Sequence, residues 1–122
     1  MKALIKSFGY AFEGIRAAIK TERNLKIHLV AAVLVIILGL YLGITAAKWC
    51  LIAFAIGFVL VSELFNTAVE RLGDAVSDEK QTPAIKAVKD ISAAAVLLSA
   101  LTALVIGILV LFVPLVSKLS SL

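Results

Sequence analysis

The stretch Trp49-Cys-Leu-Ile-Ala-Phe-Ala-Ile-Gly-Phe-Val-Leu-Val61 is apolar throughout, and after Ser62 it runs into Glu63-Leu-Phe-Asn-Thr-Ala-Val-Glu70, with Asp74 beyond. A helix turns about 100° per residue, so Glu63, Asn66, Glu70 and Asp74 fall at about 0°, 300°, 340° and 20°. All four share one stripe. A carboxylate at the centre of a membrane helix costs roughly 2.5–3.5 kcal/mol, and less near the interface. A row of acceptors at the end of an apolar helix therefore reads as a site for metal or phosphate, not as a packing surface. The apolar run alone is short of the roughly 20 residues a bilayer span needs, so the second span includes the start of the stripe.

The surrounding sequence has the same character. The chain has 122 residues, 62% of them hydrophobic, and a mean hydropathy of +1.10, whereas soluble domains are about 45–50% apolar. Spans are expected over residues 27–47, 49–70 and 90–116. Over residues 1–20, Leu4, Phe8, Phe12, Ile15 and Ile19 keep the helical period while most charges face elsewhere, the pattern of an amphipathic helix lying in the membrane surface. The fold expected is all-α and integral to the membrane: three transmembrane helices plus an N-terminal surface helix, with residues 1–122 forming one membrane domain. The first 26 residues are charged throughout and lack a continuous apolar core, so no secretory signal is expected.

The net charge of +4 is unevenly distributed. Lys2, Lys6, Arg16, Lys20, Arg23 and Lys26 precede the first span, and Arg71, Lys80, Lys86 and Lys89 lie between the second and third. Only Lys48 and Lys118 fall on the other side. The positive-inside rule then places the N-terminus and the polar stripe in the cytoplasm. The basic residues read as topology determinants and lipid-headgroup contacts, not as nucleic-acid ligands. Tyr41 and Trp49 flank the turn Gly43-Ile-Thr-Ala-Ala-Lys48 as an interfacial belt would. Cys50 is the only cysteine, so an intrachain disulfide is ruled out.

Other polar groups gather near the stripe's end. Thr21-Glu22-Arg23-Asn24 precedes the first span, and Glu22 there is expected at the depth of the lower stripe. Carboxylates from two helices at one depth suit Mg²⁺, which takes one or two carboxylates together with phosphate oxygens. A cap or solvated turn is the plainer role for this cluster. His28, one turn inside the span, reads as an interfacial histidine. Residues 75–88 form the one sizeable aqueous loop, and Lys89-Asp90 opens the third span as a cap and headgroup contact or as a phosphate neutraliser. Ala95, Ser99, Ala103 and Gly107 recur every four residues, a small-residue stripe that favours close helix packing. Gly9 and Gly14 have the spacing of half a P-loop, but Ile15-Arg16 follows and no strand precedes, so that match fails.

With a single His and no zinc-type cluster, the polar groups suit phosphoryl transfer. That chemistry needs positioning, a divalent metal and charge neutralisation more than covalent catalysis. A carboxylate at the hydrophobic boundary also suits a general base. A small transporter with an intramembrane proton site would place its carboxylate nearer mid-membrane, and a structural or pore-forming protein leaves the stripe and Glu22 unexplained. Three helices enclose little volume, so a pocket for nucleotide and lipid calls for several copies of the chain.

These residues resemble the prokaryotic diacylglycerol kinase family. The resemblance rests on Gly14-Ile-Arg-Ala-Ala18, Thr21-Glu22-Arg-Asn24 with His28, Glu63-x-x-Asn66-x-Ala-x-Glu70 with Asp74, and Lys89-Asp90 before Ala93-Ala-Ala-Val96. It covers nearly the whole chain, and the Thr-Glu-Arg-Asn…His form is similar to the undecaprenol kinase branch. The resemblance implies a homotrimeric bundle in the bacterial cytoplasmic (inner) membrane. It implies transfer of the γ-phosphate of ATP, with Mg²⁺, to the hydroxyl of a membrane lipid. Undecaprenol, giving undecaprenyl phosphate, is the first expectation and diacylglycerol the alternative. By the same resemblance Glu63 matches the catalytic base, and Glu22 and Glu70 the metal ligands. Asn66 and Asp74 line the ATP site with them. Tyr10, Glu79, Lys80, Gln81, Lys89 and Asp90 match nucleotide contacts, and Arg16, with Glu63, the lipid substrate's surroundings. The chain departs from the enterobacterial members in a longer loop before Lys89 and in Lys89-Asp-Ile-Ser-Ala93, where those read Lys-Asp-x-Gly-Ser. These differences bear on substrate choice more than on chemistry.

Overall fold

Good helix formers fill the N-terminal segment, and helix α1 runs Lys2–Thr21. Glu22 breaks it with extended backbone, φ −101° and ψ 111°, and α2 follows as Arg23–Leu42. The computed structural model describes residues 1–78 and 80–122. Gly43 ends α2 in the left-handed region at φ 62°, where glycine carries no Cβ penalty. The Ile44 N–H reaches back to the Gly39 carbonyl at 3.3 Å, closing a Schellman motif. Thr45 then caps α3, its hydroxyl accepting the Lys48 N–H. The first span expected over 27–47 therefore stops at Leu42, and Ala46 and Ala47 open the next helix instead.

Helix α3 runs Ala46–Ser77 and carries the whole polar stripe. It ends at Asp78, φ 53°, a conformation Asp tolerates better than most residues. Helix α4, Pro83–Gly107, starts from Thr82, whose hydroxyl accepts the Ile85 N–H at 3.2 Å, with Pro83 in the first turn where its missing N–H costs nothing. The aqueous loop expected over 75–88 is thus shorter at both ends, because α3 continues to Ser77 and α4 begins at Pro83. Beyond Gly107 the helix continues through a π-helical turn, Ile108–Phe112, into α5, Val113–Ser120. Pro114 explains the wide turn: it has no N–H for the Val110 carbonyl, and its ring needs the space a tighter turn denies.

Short turns make α2, α3 and α4 antiparallel neighbours, and α3 with α4 forms the most extensive contact. Three helices, Arg23–Leu42, Ala46–Ser77 and Pro83–Ser120, are long and apolar enough to cross a membrane. At the end holding the α2–α3 turn, Ile52, Val110 and Leu111 are buried together, with Val35, Leu38 and Trp49 against them. Lys118 closes this end, donating to the Tyr41 carbonyl at 3.2 Å with its ammonium 4.2 Å from the Tyr41 ring centre. Val30, Leu34, Leu97 and Leu104 face outward, as residues against hydrocarbon do. Helix α1 buries only Ala18 and leaves Leu4, Phe8 and Phe12 exposed.

Gly39 lets the Trp49 indole lie directly on α2. A Cβ there would fall 2.7 Å from the ring, so Gly39→Ala forces a rigid side chain to move. Overpacking of this kind costs about 1–3 kcal/mol. A lowered Tm in detergent is expected; an unchanged Tm would mean that the ring shifts freely.

Candidate active site

The stripe on α3 descends from the interior to the surface. Glu63 is 2% exposed, whereas the Glu70 and Asp74 side chains are about half exposed. Their partners come from different helices. His28 of α2 brings Nε2 to 3.1 Å from Glu63 Oε1, at ion-pair distance but off the hydrogen-bond axis, so Oε1 has no directed donor among the described residues. The buried Asn66 Oδ1 is likewise without a partner among them. Buried acceptors without donors cost stability, which makes this turn of α3 the strongest candidate for a site.

One to two turns further on, Lys89 of α4 reaches across to α3. Its ammonium bonds to Asp74 Oδ1 and lies 3.6 Å from Glu70 Oε2. Gly73 makes room for it: a Cβ there would stand 3.1 Å from the lysine's Cε. Glu22, at the break between α1 and α2, lies 3.8 Å from the Arg71 guanidinium, which also bonds to Thr21 Oγ1. That contact sets Glu22 level with Arg71, the residue next to Glu70. The Glu22, Glu70 and Asp74 partners of these pairs are open to solvent, which weakens the attraction, so the pairs position the groups more than they stabilise the fold.

The remaining candidates stand apart. Asp90 pairs with Lys86 along α4, turned away from the Lys89 cluster. Tyr10 and Arg16 are exposed on α1, and Lys80 and Gln81 are exposed in the loop; none has a side-chain hydrogen bond among the described residues. Glu79 lies outside the described residues. His28, Arg71 and Gly73 were absent from the sequence-based site. His28 is signalled by its place in the Thr21-Glu22-Arg-Asn24…His28 pattern and at the span entry, and Arg71 and Gly73 only by adjoining Glu70 and Asp74.

Two recesses adjoin the array. A narrow apolar crevice of about 110 Å³ between α2, α3 and α4 has His28 as its one polar lining residue, beside Ala31, Val59 and Ala103. A more open groove of about 480 Å³ lies between α1 and α3, lined by Gly14, Ile15, Ala18, Thr67 and Arg71 among others. Among the described residues no group of three or more His, Cys, Asp or Glu side chains is placed to hold a metal. Glu22 and Glu70 are each partly open to water, beside Arg71 and Lys89 respectively; carboxylates open to water are the donor type Mg²⁺ takes, completed by phosphate oxygens and water.

An all-helical chain with three membrane-length helices, and carboxylates, an amide and a lysine gathered at one end, defines a class: small membrane proteins with a charged site at the lipid boundary. The sequence profile of the family described as prokaryotic diacylglycerol kinase matches residues 9–111. The chain is similar to the undecaprenol kinase of Bacillus subtilis (strain 168), 38% identical over 114 residues covering 93% of this chain and 91% of that protein. It is 36% identical over 114 residues to a diacylglycerol kinase of Synechocystis sp., covering 93% of this chain and 65% of that one. The diacylglycerol kinase of Escherichia coli (strain K12) is 29% identical over 102 residues, 84% of this chain and 83% of that protein. The chain belongs to the prokaryotic diacylglycerol kinase family. It is a lipid kinase and a multi-pass membrane protein, taking a phosphoryl group from a nucleotide to a lipid.

Proposed function

We propose that the protein phosphorylates undecaprenol with ATP and Mg²⁺, as a homotrimer at the cytoplasmic face of the bacterial inner membrane. The observation that carries the reading is the buried Glu63 carboxylate at the head of a stripe that opens onto Glu70, Asp74 and Lys89. A lipid alcohol presents its hydroxyl at the boundary between hydrocarbon and water, and a buried carboxylate between an apolar run and an exposed polar stripe suits that depth. Glu63 takes the hydroxyl proton as the lipid oxygen bonds to the γ-phosphorus. The bond from that phosphorus to the bridging oxygen breaks, and ADP leaves. Lys89 offsets charge on the phosphates, while Asn66 and Asp74 line the nucleotide's side of the site. Tyr10, Lys80 and Gln81, exposed and without side-chain partners among the described residues, are free to meet the nucleotide, and Arg16 to meet the lipid; Asp90, paired with Lys86, would have to leave that pair to reach the nucleotide. Glu22 and Glu70 would hold Mg²⁺, which would supply further neutralisation of phosphate charge.

Undecaprenol is favoured by the 38% identity to an undecaprenol kinase across nearly the full length of both proteins. The second reading, diacylglycerol as acceptor, is supported by the names of the relatives at 36% and 29% identity. Competition separates them. Purified protein in mixed micelles receives γ-labelled ATP, Mg²⁺ and equal amounts of the two lipids. Label mainly in undecaprenyl phosphate is expected; label mainly in phosphatidic acid would move the function to diacylglycerol while keeping the same site.

Glu70→Gln tests the metal assignment. Removing one of two carboxylate ligands should raise the Mg²⁺ concentration needed for half-maximal rate by roughly tenfold or more, the scale of about 1.4 kcal/mol. An unchanged Mg²⁺ titration would remove Glu70 from the metal site.

A further inference from the structure

We infer that His28 is a positioning residue for Glu63: its Nε2–H holds carboxylate oxygen Oε1, leaving Oε2 to receive the lipid proton. The inference rests on Glu63 being the base. Glu63 is 2% exposed, and its Oε1 has no directed donor among the described residues. The one basic side chain within ion-pair distance is His28, at 3.1 Å. The other cations nearby are committed: Arg71 to Thr21 and Glu22, Lys89 to Glu70 and Asp74. No other described charge substitutes for His28 at this carboxylate.

The contact is close in distance and poor in alignment, as catalytic hydrogen bonds often are before substrate binds. The His28 side chain is 26% exposed and borders the apolar crevice, so its ring has room to turn onto the axis. With Oε1 held, the carboxylate cannot rotate freely about its terminal torsion, and Oε2 keeps one orientation. The balance of the reaction is unaltered: the lipid O–H proton passes to Oε2, the lipid oxygen bonds to phosphorus, and the bridging oxygen leaves with ADP. His28 exchanges no proton with the substrate.

Three variants test this: His28→Ala, His28→Gln and Glu63→Gln, each purified in micelles and assayed over ATP and lipid concentration. His28→Ala is expected to lower kcat roughly tenfold to a hundredfold, the usual effect of removing a group that orients a functional side chain, with both KM values unchanged. His28→Gln, which keeps an N–H donor, is expected to recover most of that loss. Equal losses in the two His28 variants, or a loss carried in KM, would overturn the inference and mark His28 as packing. Wild-type kcat in His28→Ala beside an inactive Glu63→Gln would also overturn it, while leaving Glu63 as the base. Full turnover in Glu63→Gln would overturn both.

Discussion

Glu63→Gln is expected to lower kcat by about 10²–10⁴-fold, the contribution of a positioned general base. The substitution keeps the volume of the side chain and leaves an amide oxygen for the His28 N–H. Gln also removes a buried charge whose Oε1 has no directed donor among the described residues, so the variant should melt close to the wild type. Loss of turnover with retained fold is therefore the signature of chemistry and not of damage. The measurement is steady-state label transfer alongside a thermal melt. Wild-type turnover would remove Glu63 from the reaction.

Lys89→Met is expected to produce the second largest effect. Among the described residues Lys89 is the one cation bridging Glu70 and Asp74, which otherwise present two like charges on one face of α3. Met preserves the apolar stem lying over Gly73 and deletes only the charge. A nucleotide would then bring its phosphates to two carboxylates with no ammonium between them, a site one unit more negative than before, and kcat/KM for ATP should fall by about 10²-fold, the scale of losing one preorganised charge-stabilising donor. Lys89→Arg should recover part of the loss. Unchanged kcat/KM for ATP in Lys89→Met would exclude phosphate contact by this residue.

The helical periodicity of the chain anticipates much of this arrangement. The angles of Glu63, Asn66, Glu70 and Asp74 follow from spacing alone, and the helices carry them on one side of α3 as a regular helix must. Angle does not set depth, however. Glu63 is sealed while Asp74 is half exposed, because burial depends on what α2 and α4 bring alongside. The same limit applies to His28 and Glu63, which are far apart in sequence and meet only through the turn at Gly43. Arg71 reads as a topology charge until the break at Glu22 brings Thr21 and Glu22 against it. Lys89 and Asp90 look like one unit in the sequence, yet a turn of about 100° per residue sends one to α3 and the other to Lys86. Helix ends were the least legible, since the caps at Thr45 and Thr82 and the glycine at 43 outweigh hydropathy in fixing where a helix stops.

The most direct test of the account is a structure of the protein with undecaprenol, Mg²⁺ and a non-hydrolysable ATP analogue. A Glu63 carboxylate oxygen should lie within about 2.6–3.2 Å of the lipid hydroxyl, the reach of a general base, with that hydroxyl in line with the γ-phosphorus. A lipid hydroxyl bound away from Glu63, with the nucleotide in place, would contradict the account.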